Sequence, residues 1–306
     1  MRLVVALGGN ALLRRGEPAE AATQRAHVLE VASALAALAS DYELVITHGN
    51  GPQVGLLALE AEAYKAVAPY PLDVLGAESQ GMIGYLLVQA LGVELPEREV
   101  VAVLTQVLVD AGDPAFTCPT KPIGPVYSEE EARRLAADRG WTVARDGEHF
   151  RRVVASPEPR GLVELRVIDR LVAAGSVVVC AGGGGIPVVA GSGGLRGVEA
   201  VIDKDLTAAL LAEDLGAGKL IVLTDVPYVE RAWGTDAATP IEAATPAELR
   251  RLSFAAGSMG PKIEAACRFV ERTGGEAVIG SLAELGAVSR SEAGTRVTAA
   301  IPLAVP

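Results

Sequence analysis

Short runs of apolar, largely β-branched residues recur along the chain and alternate with stretches whose apolar positions return every three or four residues. The first kind predicts strands at Leu3–Leu7, Glu43–Thr47, Val100–Leu104, Val177–Cys180, Leu220–Thr224 and Ala277–Ile279. Their apolar character is nearly continuous, which strands buried on both faces require. The second kind predicts helices. Val28, Val31, Leu35 and Leu38 share one stripe, and Ile263, Ala266, Cys267 and Val270 share another, between Pro261 and a stop at Gly274-Gly275. Strands alternating with such helices imply an α/β protein, a parallel sheet covered by helices.

One stretch breaks the rhythm. From about Gly112 to Arg160 the chain is rich in proline and charge and offers one helix, Ser128 to Ala137, opened by Ser128 and Glu131 as a capping box. A small subdomain over the sheet edge is expected there, inserted within a single domain spanning residues 1–306. Its proline-rich ends suggest hinges and a mobile lid. Between Leu171 and Leu195 no residue is charged, a length able to cross a bilayer. The stretch nevertheless holds eight glycines and Pro187, so a buried strand followed by a glycine-rich loop fits it better.

Half the residues are hydrophobic but only 4% are aromatic, so Ala, Val, Leu and Ile must build the interior. A formal charge of −11 argues against a general nucleic-acid binder. Cys118, Cys180 and Cys267 are odd in number and lack a CxxC spacing, which suits a reducing cytoplasm. Arg2 is followed by a strand-like run rather than a signal-peptide pattern, so a cytoplasmic protein is expected.

The chemistry concentrates in rare residues. Five of the 27 basic residues are lysine, and three of the five sit among glycines and prolines or between carboxylates. These are Lys121 in Pro-Thr-Lys-Pro-Ile-Gly-Pro, Lys204 in Val-Ile-Asp-Lys-Asp and Lys262 in Gly-Ser-Met-Gly-Pro-Lys-Ile. A lysine is a compact point charge suited to a small anion. Lys65 and Lys219 read as ordinary surface charges. The two asparagines, Asn10 and Asn50, lie in Gly-Gly-Asn and Gly-Asn-Gly. Strand ends lead into Gly8-Gly9-Asn10, Gly49-Asn50-Gly51-Pro52 and Gly182–Gly185, where backbone N–H groups can approach an anion. Lys262, directly after Pro261, opposes its helix dipole unless phosphate is bound. Lys204 precedes a helix expected over Leu206–Leu215. Either Asp205 merely caps that helix, or Asp203 orients the lysines while Lys204 meets transferring phosphate oxygens.

Other chemistries are weakly supported. There is no Gly-x-x-x-x-Gly-Lys-Ser/Thr, the Gly49–Gly55 run lacks dinucleotide-binding spacing, and Gly191-Ser192-Gly193 has no following helix. His27, His48 and His149 have no metal-ligand spacing, and His48 reads as a donor behind the site or a satisfied core residue.

The motifs resemble the amino-acid kinase superfamily and, within it, the carbamate kinase family. The segments carrying the likeness are Val-Ala-Leu-Gly-Gly-Asn-Ala-Leu, Thr-His-Gly-Asn-Gly-Pro-Gln-Val-Gly, Leu-Thr-Gln-Val-Leu-Val-Asp and Gly-Gly-Gly-Gly-Ile-Pro-Val-Val, with the three lysine-bearing motifs. The resemblance implies a three-layer α/β/α open sandwich with a mainly parallel sheet of about eight strands, and a homodimer. It implies reversible phosphoryl transfer between ATP and carbamate, giving ADP and carbamoyl phosphate, with a place in arginine metabolism. Carried over by motif, Gly8, Gly9, Asn10, Gly49, Asn50 and Gly51 would hold carbamate and the phosphoryl group. Lys121, Lys204 and Lys262 would neutralise phosphate charge, with Asp203 orienting them. Thr224, Asp225, Tyr228, Met259 and Pro261 would line the nucleotide pocket. Magnesium is expected through nucleotide phosphates and water, with no protein metal site. The segment from Glu148 to Pro159 departs from the family's Gly-Trp-Arg and Pro-Ser-Pro pattern. Carbamate is already an anion and needs no general base, so a chain poor in histidine can run this chemistry. Another small-acid acylphosphate kinase, or a nucleotide-binding regulator without transfer, stays open as an alternative. The regulator would be marked by a lost lysine or Asp203, and none is lost.

Overall fold

All six expected strands form, within two residues of their expected ends, in the computed structural model, which describes residues 1–14, 17–254 and 259–300. The chain opens with β1 (Arg2–Leu7), α1 (Ala21–Ala39), β2 (Glu43–His48), α2 (Gly51–Ala63), α3 (Leu72–Glu94) and β3 (Val100–Val103). Then come β4 (Gln106–Leu108), β5 (Lys121–Tyr127), α4 (Glu129–Arg139), β6 (Val143–Asp146), β7 (His149–Val154) and β8 (Gly161–Leu162). The middle holds α5 (Leu165–Ala173), β9 (Val177–Cys180), β10 (Ile186–Gly191), β11 (Gly194–Gly197), α6 (Lys204–Asp214) and β12 (Lys219–Thr224). It continues with β13 (Val229–Arg231), β14 (Thr239–Ile241), β15 (Ala243–Ala244) and α7 (Pro246–Leu249). Last are α8 (Met259–Thr273), β16 (Glu276–Ser281), α9 (Leu285–Ser289) and β17 (Thr295–Val297).

Eight strands make one sheet in the order β15-β17-β16-β12-β1-β2-β9-β3. Every pairing is parallel except β16 with β17. Alternation along β1 divides the interior into two cores. Val4 and Ala6 join α5, α6 and α8 on one face, whereas Leu3, Val5 and Leu7 join α1, α3 and α9 on the other. The α/β/α layering follows, because strands without a polar face must be covered twice. The short strands β15 and β17 escape sequence reading because two or three residues carry no measurable period.

The irregular stretch forms a three-stranded sheet, β5-β7-β6, covered by α4. Ser128 caps α4 by accepting from the N–H of Glu131 at 3.2 Å, and Gly140 ends it in the left-handed region. The uncharged run from Leu171 resolves into the end of α5, strand β9, a glycine loop and β10. Among the described residues no helix is long and apolar enough to cross a membrane.

Lys219 is a correction. Expected on the surface, it is 5% exposed. Its Nζ donates to the Ser289 carbonyl and the Ser291 hydroxyl at 2.6 Å each and pairs with Glu276 at 2.8 Å. The partners arrive from residues 57 to 72 positions later, so the local sequence gives no sign of the burial.

Candidate functional site

Strands β1 and β2 end side by side, and their glycine turns meet at the carboxyl edge of the sheet. The N–H of Gly49 donates to the Leu7 carbonyl at 3.1 Å, which locks the two turns together and removes that amide from any ligand. A Cβ on Gly49 would lie 2.9 Å from the Gly9 nitrogen and 3.4 Å from Lys204 Cδ. Only glycine therefore lets both turns and Lys204 converge. Gly9 opens a short 3-10 turn and Gly51 opens α2, positions whose N–H groups have no intrahelical acceptor and suit an anion. Asn50 turns inward: it is buried, and its Nδ2 donates to Ser79 Oγ at 2.8 Å. The side chain of Asn10, and residues 255–258 ahead of Met259, lie outside the described residues.

Three ammonium groups from three elements meet two carboxylates. Asp203 is the N-cap of α6, its Oδ1 accepting from the N–H groups of Asp205 and Leu206 at 2.9 and 3.3 Å. The helix therefore starts at Lys204 rather than Leu206, and Asp203 rather than Asp205 caps it. The other oxygen of Asp203 accepts from Lys121 Nζ at 2.5 Å. Asp205 holds the remaining two, pairing through Oδ1 with Lys204 and through Oδ2 with Lys262 at 3.0 Å. The expectation that Asp203 orients all three lysines is thus divided between two residues. Asp205 was missed as an orienting group, although the triplet Asp-Lys-Asp already contained it.

Burial alone would raise the Asp205 carboxyl, but Lys204 and Lys262 outweigh it and hold the group far below the usual carboxylate range. Burial pushes the Lys204 ammonium down, and Asp205 only partly restores it. Lys262 ends above its ordinary value, because Asp205, Asp203 and Asp225 overcome its burial. The three ammonium groups gather at the N-termini of α2, α6 and α8, where the helix dipoles also favour negative charge. Such a setting suits a bound anion.

The third glycine loop supports this arrangement from beneath. Gly182–Gly185 are buried and press against His48, Asn50, Ile202 and Val107, so they back the site rather than line it. His48 is buried, shares a hydrogen bond with the Gly49 carbonyl at 3.0 Å, and is pushed down to about 4 by its burial. It is neutral at physiological pH and braces the turn.

A cavity of about 550 Å³ opens beside the glycine turns, lined by Gly8, Leu223, Thr224, Asp225, Arg14 and Ser281 among others. Of the expected nucleotide-pocket residues it takes in Thr224 and Asp225. Tyr228, half-buried, and Met259 and Pro261, in the first turn of α8 beside Lys262, are not on its wall. No cluster of three metal-ligating side chains exists among the described residues, and both site carboxylates are taken by lysines.

The amino acid kinase family model matches residues 1–281. The chain is 53% identical over 300 residues to the carbamate kinase of Haemophilus influenzae, covering 97% of each. It is 54% identical over 302 residues to that of Rhizobium meliloti, covering 97% of this chain and 93% of the other. The structure of carbamate kinase from Giardia lamblia bound to AMP-PNP matches with a TM-score of 0.88 and 40% identity, over 97% of this chain and 98% of that one. These matches place the chain in the amino acid kinase family and, within it, among the carbamate kinases.

Proposed function

We propose that the site transfers a phosphoryl group reversibly between ATP and carbamate, and that Lys121, Lys204 and Lys262 neutralise the group in flight. The observation carrying this reading is the convergence of three lysines from three elements on Asp203 and Asp205, with Lys204 against the Gly49 turn. Phosphoryl transfer asks for in-line positioning and for cations on the equatorial oxygens. Carbamate brings its own negative oxygen, so neutral His48 is no obstacle. The amides at Gly9 and Gly51 hold the acceptor end, while Gly8, Asn10 and Asn50 shape the turns. Thr224, Asp225, Tyr228, Met259 and Pro261 flank the nucleotide.

Magnesium fits as a guest of the nucleotide. It would be held by phosphate oxygens and water, where it adds charge neutralisation, since the site carboxylates are committed to lysines. The subdomain bearing Lys121 acts as a lid, the protein works in the cytoplasm, and two copies pair as a homodimer that sedimentation would register.

The test mixes protein with ADP, Mg²⁺ and carbamoyl phosphate and follows ATP by luminescence, with acetyl phosphate in parallel. ATP from carbamoyl phosphate alone supports the reading, and Lys204→Ala should abolish it while leaving the circular dichroism spectrum intact. ATP from acetyl phosphate alone, or full activity in Lys204→Ala, would sink it.

A further inference from the structure

Helix α2 shares its core with the inserted subdomain. Its buried Val54 and Ala58 pack with Ile123 and Val154 of the subdomain and with Leu72 and Leu75 at the start of α3. Among the described residues, no side chain of α2 belongs to either core flanking the central sheet. The backbones also touch, since a Cβ on Gly55 would lie 2.3 Å from the Cα of Gly124. Gly124 itself sits at φ +69°, so its own position favours glycine as well.

At the far end of α2, Glu62 fastens the two units again. Its carboxylate pairs with Arg139 through Oε2 and with Arg152 through Oε1 at 3.6 Å. Both guanidinium groups lie over Trp141, with Cζ 4.9 and 4.8 Å from the ring centroid. Burial pulls the Arg152 guanidinium down, while Glu62 and Glu199 pull it back. Two cations on one indole, closed by one carboxylate that is 15% exposed, form a costly arrangement to open.

We propose that Glu62 is a positioning residue. By clamping the subdomain to α2 it makes them one body, so that Lys121 and the Gly51 turn keep a fixed separation whenever the subdomain moves. Lys121 opens β5 just before Gly124, and Gly51 opens α2 just before Gly55. The Gly55–Gly124 contact therefore stands midway between the two site elements, with Glu62 about 16 Å along the helix from Gly51 as the second fixing point. The subdomain's ties to the main body include the Lys121–Asp203 pair, the Ala155–Ala200 bridge and the Glu158–Arg268 pair at its base, and Leu72, Leu75 and Val201 in the shared core. The start of α2 is held to α1 and α3, Gln53 Nε2 donating to Gln24 Oε1 at 3.1 Å and Asn50 Nδ2 to Ser79 Oγ at 2.8 Å, so the clamp fixes the subdomain against an anchored helix. The kinetic consequence rests on the phosphoryl-transfer reading, whereas the mechanical one rests on the core and the clamp alone.

Hydrogen exchange on the ligand-free protein, comparing wild type with Glu62→Gln, tests the mechanics. Exchange should accelerate at least about fivefold in both 51–63 and 121–154, and stay unchanged in 2–7 and 219–224. In turnover, Glu62→Gln should raise the KM for carbamoyl phosphate and lower kcat by about tenfold each, with the KM for ADP unmoved. Glu62→Asp should recover part of the loss, and Trp141→Leu should reproduce the Glu62→Gln pattern. Acceleration confined to 121–154, no acceleration at all, or equal shifts in both KM values would overturn the proposal. If the wild-type protein shows no turnover, the phosphoryl-transfer reading fails on its own and the exchange result still decides the clamp.

Discussion

At the scale of single residues, the site turns on a carboxylate that holds two ammonium groups. Asp205→Asn leaves Lys204 and Lys262 buried without their anion, so unfolding free energy should drop by about 3 kcal/mol or more. Added phosphate should restore part of it in urea titrations, and a variant as stable as wild type would contradict this account. His48 carries a separate signature. Its imidazole titrates at 6.5 in the unfolded chain and at about 4 in the fold, so between those values only the unfolded chain takes up the proton. Stability is full above 6.5 and declines as pH falls through the window, by about 2 kcal/mol between pH 7 and pH 5. Denaturant titrations of His48→Gln should lack that decline, and an identical slope would refute the assignment. The lysines were legible in the sequence because so few exist and three keep such unusual neighbours. The roles of Asp203 and Asp205 were not, because two carboxylates flanking one lysine do not reveal which caps the helix or how they divide three cations between them.

At the scale of elements, strands buried on both faces announced themselves, while glycine-rich loops announced only that they were loops. Whether such a loop binds or supports depends on what surrounds it. Gly184 sits at φ +92°, and a Cβ there would be 2.4 Å from the Ile202 carbonyl oxygen. Gly193, nine residues on, has open space around it and no left-handed φ. Gly184→Ala should therefore cost about 3 kcal/mol, whereas Gly193→Ala should stay within about 0.5 kcal/mol of wild type. Thermal melts that fail to separate the two would show that the loop yields. Helix α2 was hidden for a related reason. Its apolar residues have ordinary spacing, and nothing local tells that they face the subdomain rather than the sheet.

At the scale of the whole molecule, the layered fold was foreseeable from alternation, but contacts between distant segments were not, as Lys219 shows. The distribution of its amines has a chemical consequence. Lys121, Lys204, Lys219 and Lys262 each pair with a carboxylate, and Lys65 alone of the five lysines is exposed. Under the proposed reaction the protein works beside carbamoyl phosphate, which decays in water to cyanate, a reagent that captures unprotonated amines. Burial withholds Lys204, Lys219 and Lys262 from a dissolved reagent, and a guanidinium stays protonated at any physiological pH. Exposure to cyanate followed by peptide mass spectrometry should find Lys65 modified well before Lys204 or Lys262, with turnover surviving the first modification. Equal labelling of Lys65 and Lys204 would show the pairs to be open. An acidic chain that places its cations on arginine and shelters its few lysines is thereby resistant to carbamoylation by the breakdown of its own product.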